Sequence, residues 1–220
     1  MLKIYATPLS ANGRKVLAVS RELGLTAEIH IVNVYRGEGR TAEYLAINPM
    51  GKIPTLVDGD FVLFESNAIL IYLAEGYGKS RLWSTDSKAR GRIAQWLFWE
   101  SAHWQPSLIA LLSEQVGHRL VPEAIARPRS APDWNSASLQ PMLKTLETTL
   151  SADAFLTGSH ATIADFSVAG MCTYFRVAGF PFHDFPAISR WYARIEAFDS
   201  WRATESALWR EQSAGEVTRE

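Results

Sequence analysis

The sequence predicts two domains of different class, a small α/β domain followed by an all-helical domain. Residues Leu2–Ala6 alternate as a strand does, and apolar positions in 12–23 recur at helical spacing before Gly24. A second alternating run, 28–34, completes a strand–helix–strand unit whose helix is long enough for a crossover between parallel strands. After Gly76 every periodic segment is helical. The composition therefore changes near the end of the first third of the chain.

The rest of the first domain is a short helix, a turn, a hairpin and a helix. Residues 41–46 favour the short helix, and the turn follows at Asn48-Pro49-Met50-Gly51-Lys52. Two apolar runs, 55–57 and 61–64, flank Asp58-Gly59-Asp60, which is typical of a hairpin. Residues 66–75 then carry apolar positions at helical spacing.

The second domain is predicted as a series of helices. Residues 86–116 form one or two helices, broken or kinked near Pro106 because proline cannot donate to a helix ladder. A loop over 127–132 separates them from later helices at 137–150, 163–177, 186–198 and 201–212, with a frayed end from Ser213. We expect a first domain over 1–77, a linker over 78–87 and a helical domain over 88–220.

Charge and cysteine content exclude several classes of protein. The chain has 220 residues with 22 Lys+Arg and 23 Asp+Glu, so it is nearly neutral. Its net charge therefore gives no electrostatic reason to expect binding to nucleic acid or to an acidic membrane. Its single cysteine, Cys172, excludes an intrachain disulfide and a cysteine-based zinc site. The histidines show no metal-ligand spacing. With no secretory signal and no membrane-length apolar run, we expect a cytoplasmic protein without a metal, nucleic acid or membrane partner.

Three local features of the first domain carry chemistry, and the first is the turn Pro8-Leu9-Ser10-Ala11-Asn12. The turn opens a helix, whose N-terminus presents unpaired N–H groups and partial positive charge that suit an anion such as a thiolate. Ser10 is placed to donate its hydroxyl hydrogen there. The alternative is that Ser10 or Asn12 only caps the helix.

The second feature is Lys52-Ile53-Pro54-Thr55, where a proline enters a strand. A cis bond before Pro54 would turn the N–H and C=O of Ile53 outward, where another backbone could pair with them. The alternative is an ordinary trans turn proline.

The third feature is Glu65-Ser66-Asn67 at the start of a helix. A ligand carboxylate could lie on this helix N-terminus while Glu65 pairs with a ligand ammonium group. The alternative is that Ser66 caps the helix and Glu65 faces solvent.

Together these features carry a resemblance to a known family. The runs ATPLSANGRKV, NPMGKIPTL and ESNAILIYLAE, in this order and spacing, resemble cytosolic glutathione S-transferases, especially serine-type bacterial and theta-like members. QWLFWESAHW and TIADFSVAG extend the resemblance over nearly the whole chain. It implies a thioredoxin-like first domain, an all-helical bundle that contributes an electrophile pocket, glutathione as co-substrate, and a homodimer.

The resemblance also implies roles for individual residues. Ser10 matches the hydroxyl that stabilises the glutathione thiolate, and Ile53 before Pro54 matches the residue whose backbone pairs with the cysteinyl part. Glu65 and Ser66 match the pair that holds the γ-glutamyl end. A further match, Lys52, reaches towards the glycyl carboxylate.

The chain departs from the theta-like pattern at one position. Those members often carry histidine where this chain has Gly39, and Arg40 is the hypothesised replacement for its charge. Asn12 is a rival of Ser10 for the thiol contact, since some bacterial relatives rely on an asparagine in this loop.

The electrophile pocket is expected between the domains, beside the first helix of the second. Trp96, Trp99 and His103 share one helix face by their spacing. The candidates to line the pocket are Tyr35, Arg36, Trp99, His103 and Trp104, and the alternative for the three on the helix is core or interdomain packing.

The expected function is a glutathione S-transferase that joins glutathione to small hydrophobic electrophiles, with Ser10 as catalytic residue. Two alternatives stay open: a glutathione-dependent isomerase, dehalogenase or peroxidase, and a non-catalytic interaction scaffold. Thr162-Ile163-Ala164-Asp165 is interpreted as a capping box that serves folding, and Cys172 as a buried, inert thiol.

Overall fold

A computed structural model describes residues 1–78, 82–126, 128 and 130–209. Its first part is a four-stranded mixed sheet in the order β2-β1-β3-β4, with β1 parallel to β2 and antiparallel to β3, which in turn is antiparallel to β4. The elements are β1 (Leu2–Ala6), α1 (Ala11–Glu22), β2 (Ala27–Ile31), α2 (Ala42–Ile47), β3 (Thr55–Asp58), β4 (Phe61–Phe64) and α3 (Ser66–Gly76).

The second part consists of helices. They are α4 (Ser87–Trp99), a π-helical segment (Glu100–Trp104), α5 (Gln105–Leu120), α6 (Gln140–Ala152), α7 (Ile163–Cys172), α8 (Pro186–Glu196) and α9 (Asp199–Arg202). Short 3₁₀ turns occur at Val34–Arg36, Glu38–Arg40 and Ala207–Trp209. In the described part of the chain, no helix is both long and apolar enough to cross a membrane.

The predicted architecture, thioredoxin-like sheet plus helical bundle, is confirmed, and several predicted bounds are wrong. Strand β2 ends at Ile31 instead of residue 34, because the chain turns into the 3₁₀ segment Val34–Arg36. Helix α7 ends at Cys172, short of residue 177. The predicted helix at 201–212 is instead the short α9 and a 3₁₀ turn, as far as residue 209.

Some sequence predictions fall outside the described residues. Residues 79–81 of the predicted linker, residues 127 and 129 of the predicted loop, and the predicted frayed end from Ser213 belong to this group. The sheet part ends with α3 and α4 begins at Ser87. The exact domain division stays a prediction.

A π-helical segment accounts for the break predicted near Pro106. Proline lacks the N–H of the helix ladder and crowds the carbonyl four residues earlier, which is Ala102 inside the segment. A π turn holds an extra residue, so the face that meets the core shifts by one position. After Glu100 the buried residues are therefore Trp104, Leu108 and Leu112.

The two parts meet through α1, which packs against α7. The approach is close: a Cβ at Gly170 on α7 would lie 3.2 Å from the carbonyl oxygen of Ala11. The guanidinium of Arg14 donates to Thr173 Oγ1 and to the carbonyl of Trp201, both at 3.2 Å. Because α1 begins at the Ser10 turn, this contact fixes the turn relative to the helical part.

The predicted capping box is present at the start of α7. The buried Asp165 carboxylate accepts from the backbone N–H of Thr162 (2.8 Å) and of Leu156 (2.9 Å), and from the indole N–H of Trp191 (3.0 Å). Cys172 lies fully buried at the other end of α7, where burial raises the pKa of its thiol well above its usual value. Its thiol is therefore held in the unreactive form, as predicted.

Candidate functional site

The turn after β1 brings Ser10 to the N-terminus of α1. Ser10 Oγ accepts from the backbone N–H of Gly13 at 3.3 Å, so this residue caps the helix. Glycine is needed at position 13, because a Cβ there would lie 2.4 Å from the carbonyl oxygen of Thr7. A serine hydroxyl has one hydrogen to donate besides the lone pairs that accept. Capping and donation to an anion are therefore compatible.

Hydrogen bonds from Tyr44 and Asn48 hold the turn at Lys52-Ile53-Pro54-Thr55. The Tyr44 hydroxyl donates to the carbonyl of Lys52 at 2.7 Å, and the Asn48 amide donates to the same oxygen at 2.8 Å and to Thr55 Oγ1 at 2.9 Å. The Ile53–Pro54 peptide bond is cis. Among the described residues, no hydrogen bond involves the N–H or C=O of Ile53. This backbone edge is therefore available to a peptide ligand.

Glu65 and Ser66 stand at the start of α3. Glu65 has φ +71°, a left-handed conformation that is uncommon for a residue with a side chain and that often marks a functional position. Ser66 Oγ donates to Asn12 Oδ1 at 3.2 Å and so links the two turns.

All the predicted glutathione-binding residues except Ser10 and Arg40 line one groove of about 750 Å³, together with Asn12. Those on its wall are Asn12, Lys52, Ile53, Pro54, Glu65 and Ser66. Lys52 and Glu65 are exposed, with opposite charges. The groove thus offers a free backbone edge, a cation, an anion and the N-terminus of a helix, which suits a peptide with charged ends.

Arg40 does not line this groove. It is exposed, and its guanidinium lies beside Gly51, since a Cβ at that glycine would come 3.1 Å from Arg40 Nη1. Gly39 is buried against the same loop, and a Cβ on it would lie 2.4 Å from the carbonyl oxygen of Gly51. A histidine at position 39 would therefore displace this loop.

A second, mostly apolar cavity of about 350 Å³ adjoins the groove, and Ser10 lies on its wall. Asn12, Gln105 and Ile109 line both spaces, so the two form one continuous site. The apolar wall comes mainly from α5 and includes Ile109, Leu112, Val116, Leu120, Ile125 and Met171.

Of the five residues predicted for the electrophile pocket, only Tyr35 lines this cavity. Trp104 is fully buried, its indole N–H bonded to the carbonyl of Val168 at 3.1 Å, and Trp99 stacks on it with ring centroids 5.6 Å apart. His103 is exposed, because the π-helical segment shifts the inner face by one residue. Arg36 pairs with Glu123 at 2.9 Å on the surface.

Sequence reasoning missed Tyr174, which holds the Ser10 turn from the helical side. Its hydroxyl donates to the carbonyl of Leu9 at 3.1 Å and accepts from the N–H of Ala11 at 2.9 Å. No pattern singles this tyrosine out, because it lies in an apolar run interpreted as core. The apolar stripe of α5 was detectable, since residues 109, 112, 116 and 120 recur at helical spacing.

A buried polar network lies behind the groove. Lys15 Nζ donates to Asn67 Oδ1 (3.0 Å), Glu100 Oε2 (3.1 Å) and Ser167 Oγ (3.2 Å). Asn67 Nδ2 in turn donates to Glu100 Oε2 at 3.0 Å. Burial lowers the pKa of Lys15, and the Glu100 carboxylate opposes that effect. The network ties α1, α3, the π-helical segment and α7 together directly behind Ser66.

In the described ranges, no group of three or more histidine, cysteine, aspartate or glutamate side chains is arranged to hold a metal ion. The site can instead place a thiol between the helix N-terminus at Ser10 and an apolar cavity. There an anion is stabilised on one side and a hydrophobic molecule is accommodated on the other.

Known proteins match both parts of the chain. A family model described as glutathione S-transferase, N-terminal domain, matches residues 9–75, and one described as glutathione S-transferase, C-terminal domain, matches residues 123–194. Over 208 residues the chain is 33% identical to glutathione S-transferase F10 of Arabidopsis thaliana, covering 92% of this chain and 95% of that relative.

A human relative and a solved plant structure agree. Glutathione S-transferase theta-2 of Homo sapiens is 31% identical over 205 residues, which are 90% of this chain and 81% of that protein. The crystal structure of glutathione transferase F2 from Populus trichocarpa matches with a TM-score of 0.81 at 29% identity, covering 93% of this chain and 97% of that chain.

Proposed function

This chain belongs to the glutathione S-transferase family and is a glutathione S-transferase, and on that premise we propose that Ser10 activates its thiol substrate. The observation that carries the proposal is the position of Ser10, at the N-terminus of α1 and on the wall of the apolar cavity. In that position a hydroxyl donor and a helix dipole act on the same anion.

The energy required is modest. An unperturbed cysteine thiol has a pKa of about 8.5, so only a few per cent is thiolate at neutral pH. Lowering that pKa by about two units takes ~2.7 kcal/mol of preferential stabilisation of the thiolate. One charge-assisted hydrogen bond and a helix N-terminus are together of that order.

The reaction is a substitution or addition by sulfur. Glutathione loses its thiol proton to solvent, and a sulfur lone pair forms the new C–S bond to the electrophile. In a substitution the leaving group departs with the electron pair of the broken bond. No covalent enzyme intermediate is required, so the protein acts by stabilising the anion and by positioning the two substrates.

We assign the groove to glutathione. The free N–H and C=O of Ile53 suit its cysteinyl backbone, and Lys52 suits the glycyl carboxylate. Glu65 suits the γ-glutamyl ammonium group, while the N-terminus of α3 at Ser66 suits the carboxylate beside it. Arg40 is proposed to contribute long-range positive charge only, since it lies off the groove.

The electrophile is proposed to bind in the cavity that α5 lines. Its apolar wall favours small hydrophobic molecules, and its volume of about 350 Å³ lies at the small end of the range for ligand pockets. Tyr35 lines the same cavity.

A homodimer is proposed through the face formed by β4 and α4. Val62, Phe64 and Phe98 are large apolar side chains on this face, and Phe98 is 72% exposed. Phe64 and Phe98 also lie on the wall of the glutathione groove, so a partner on this face would adjoin the site. Sedimentation of Phe98→Asp beside the unmodified protein tests this. We expect the mass of a dimer for the unmodified protein and the mass of a monomer for Phe98→Asp, and the same mass for both proteins would contradict the proposal. The cytoplasmic location stays a prediction from the sequence.

The test of thiol activation is an ultraviolet difference titration of bound glutathione against pH, with Ser10→Ala and Asn12→Ala as the two variants. We expect a thiolate band that persists below neutral pH in the unmodified protein and in Asn12→Ala. In Ser10→Ala the midpoint should rise by one to two pH units, on the order of a hydrogen bond to a charged group. A rise confined to Asn12→Ala would transfer the role to Asn12.

A further inference from the structure

The hydroxyl of Tyr174 bonds to both of the peptide groups that flank Ser10. It donates to the carbonyl of Leu9 at 3.1 Å and accepts from the N–H of Ala11 at 2.9 Å. The carbonyl of Leu9 belongs to the peptide group before Ser10, and the N–H of Ala11 belongs to the peptide group after it. One oxygen atom of the helical part therefore bridges the two planar groups that meet at the Cα of Ser10.

This bridge fixes the backbone rotations at Ser10. Because peptide groups are planar, only φ and ψ of Ser10 change the orientation of one group relative to the other. They are −92° and 131°, an extended conformation. Each group has a second hydrogen bond, since the Ser10 N–H donates to the carbonyl of Thr7 at 3.2 Å and the Ser10 carbonyl accepts from the N–H of Arg14 at 2.7 Å. With both rotations held, the direction of the Cα–Cβ bond that carries the hydroxyl is set.

The Tyr174 side chain is itself held in place by packing. It is 5% exposed, and its ring meets the buried Trp209 edge-on, with centroids 4.8 Å apart. Tyr174 follows Gly170 by one helical turn, and a Cβ at Gly170 would lie 3.2 Å from the carbonyl oxygen of Ala11. The close approach of α7 at Gly170 therefore brings the phenol, one turn later, within reach of the same peptide group.

The hydrogens leave the Ser10 hydroxyl free to act on a ligand. Burial raises the pKa of the Tyr174 phenol, so the phenol keeps its hydrogen at neutral pH and donates it to Leu9. The Ser10 hydroxyl takes no part in the bridge. Its oxygen accepts from the N–H of Gly13, and its hydrogen remains to be donated.

We propose that Tyr174 is a positioning residue for the transfer reaction: by bridging the peptide groups on either side of Ser10, it holds the Ser10 hydroxyl where that group donates to the glutathione sulfur. The inference rests on the proposed role of Ser10. It makes activation of the thiol in the sheet part depend on a hydroxyl that the helical part supplies. A tyrosine that only packs or lines the cavity would affect stability or electrophile binding, and not the sulfur.

The experiment is a double-mutant cycle on the pKa of the bound glutathione thiol, measured without an electrophile, with Tyr174→Phe, Ser10→Ala and the double variant. Tyr174→Phe keeps the ring and removes only the bridging oxygen. We expect it to raise the thiol pKa by about 0.5 to 1 pH unit, because a misaligned hydrogen bond to the sulfur is weaker. In the Ser10→Ala background the same change should add no shift.

A control separates positioning from stability. Tyr174→Phe leaves the carbonyl of Leu9 and the N–H of Ala11 unpaired, so we also expect a lower melting temperature. Thr162→Ala, at the start of α7, should lower the melting temperature as well and leave the thiol pKa unchanged. If Tyr174→Phe does not fold, Trp209→Leu takes its place with the same expected sign, because it keeps the hydroxyl and removes the support of the ring.

The outcomes distinguish the role of Tyr174 from that of Ser10. If Ser10→Ala leaves the thiol pKa unchanged, the role of Ser10 is overturned, and that of Tyr174 with it. If Ser10→Ala raises the pKa and Tyr174→Phe does not, only the role of Tyr174 is overturned. An equal rise in both backgrounds would also overturn it, because the phenol would then act without Ser10. So would a lower pKa in Tyr174→Phe, since the released N–H of Ala11 would then stabilise the thiolate itself.

Discussion

Lys15 Nζ lies 3.1 Å from Glu100 Oε2, and both side chains are almost completely withdrawn from solvent, with 0% and 1% of their surface exposed. The pair joins α1 of the sheet part to the π-helical segment of the helical part. Asn67 and Ser167 supply further hydrogen bonds to it. A buried ion pair is tolerated only when such partners satisfy it, because both charges have lost their hydration.

Removing one charge of this pair should strongly destabilise the protein. In Lys15→Met the Glu100 carboxylate is left buried without its cation, and we expect the free energy of unfolding to fall by about 3–5 kcal/mol. Urea denaturation measures it. The double variant Lys15→Met/Glu100→Leu removes both charges and should be more stable than Lys15→Met. Glu100→Leu alone completes the comparison. If the double variant loses as much free energy of unfolding as the two single variants together, the two charges do not depend on each other.

The two capping residues, Thr162 and Asp165, should contribute unequally to the stability of the protein. Thr162→Ala should cost about 1 kcal/mol, as for other helix caps. Asp165→Ala should cost more, about 3 kcal/mol, because it leaves the buried donors of Leu156 and Trp191 unpaired. Thermal unfolding of both variants tests the order. An Asp165→Ala protein as stable as the unmodified one would contradict the assignment.

Glu65 should govern glutathione affinity and not the chemistry on sulfur. Glu65→Gln removes the charge that faces the ligand ammonium group, so we expect the Kd for glutathione to rise about tenfold. The pKa of the bound thiol should stay the same. Calorimetric titration measures the affinity, with the exposed Glu43→Gln on α2 as control. Equal affinity in Glu65→Gln and Glu43→Gln would show that the proposed glutathione pose is wrong.

Substitution of Val116 should affect binding of the electrophile and not binding of glutathione. It lines the apolar cavity and not the groove, so Val116→Phe narrows the electrophile site only. For a bulky aryl chloride such as chlorodinitrobenzene we expect kcat/KM to fall about tenfold, while the KM for glutathione stays constant. Glu114→Phe on the same helix, outside the cavity, is the control. A parallel loss in both variants would mean that the electrophile binds elsewhere.

The local elements of the first part could be predicted from the sequence because their signals are short-range. Strand β1, the hairpin of β3 and β4, and the starts of α1 and α3 follow from alternation, turn residues and helical spacing within about ten residues. Three residues of the site were identified for the same reason: Ser10, Ile53 and Glu65 each lie at a local feature, namely a turn, a proline or a helix start.

The electrophile pocket required the tertiary structure. Helical spacing placed His103 beside Trp99, but the π-helical segment turned that face by one residue and buried Trp104 instead. Pro106 marks the place of the break in the sequence, but the regular helical period assumed before it does not include the extra residue of a π turn.

The sequence by itself therefore determined the family, the two-part fold and the groove, since these depend on residues close together in the chain. Only the tertiary structure decided that α5 forms the apolar wall of the cavity. It also decided that Tyr174 contacts the Ser10 turn, at Ala11, from 163 residues away. It also decided that Lys15 and Glu100 form one buried pair. Such contacts join distant residues whose spacing carries no period, so they exist only once the two parts have packed together.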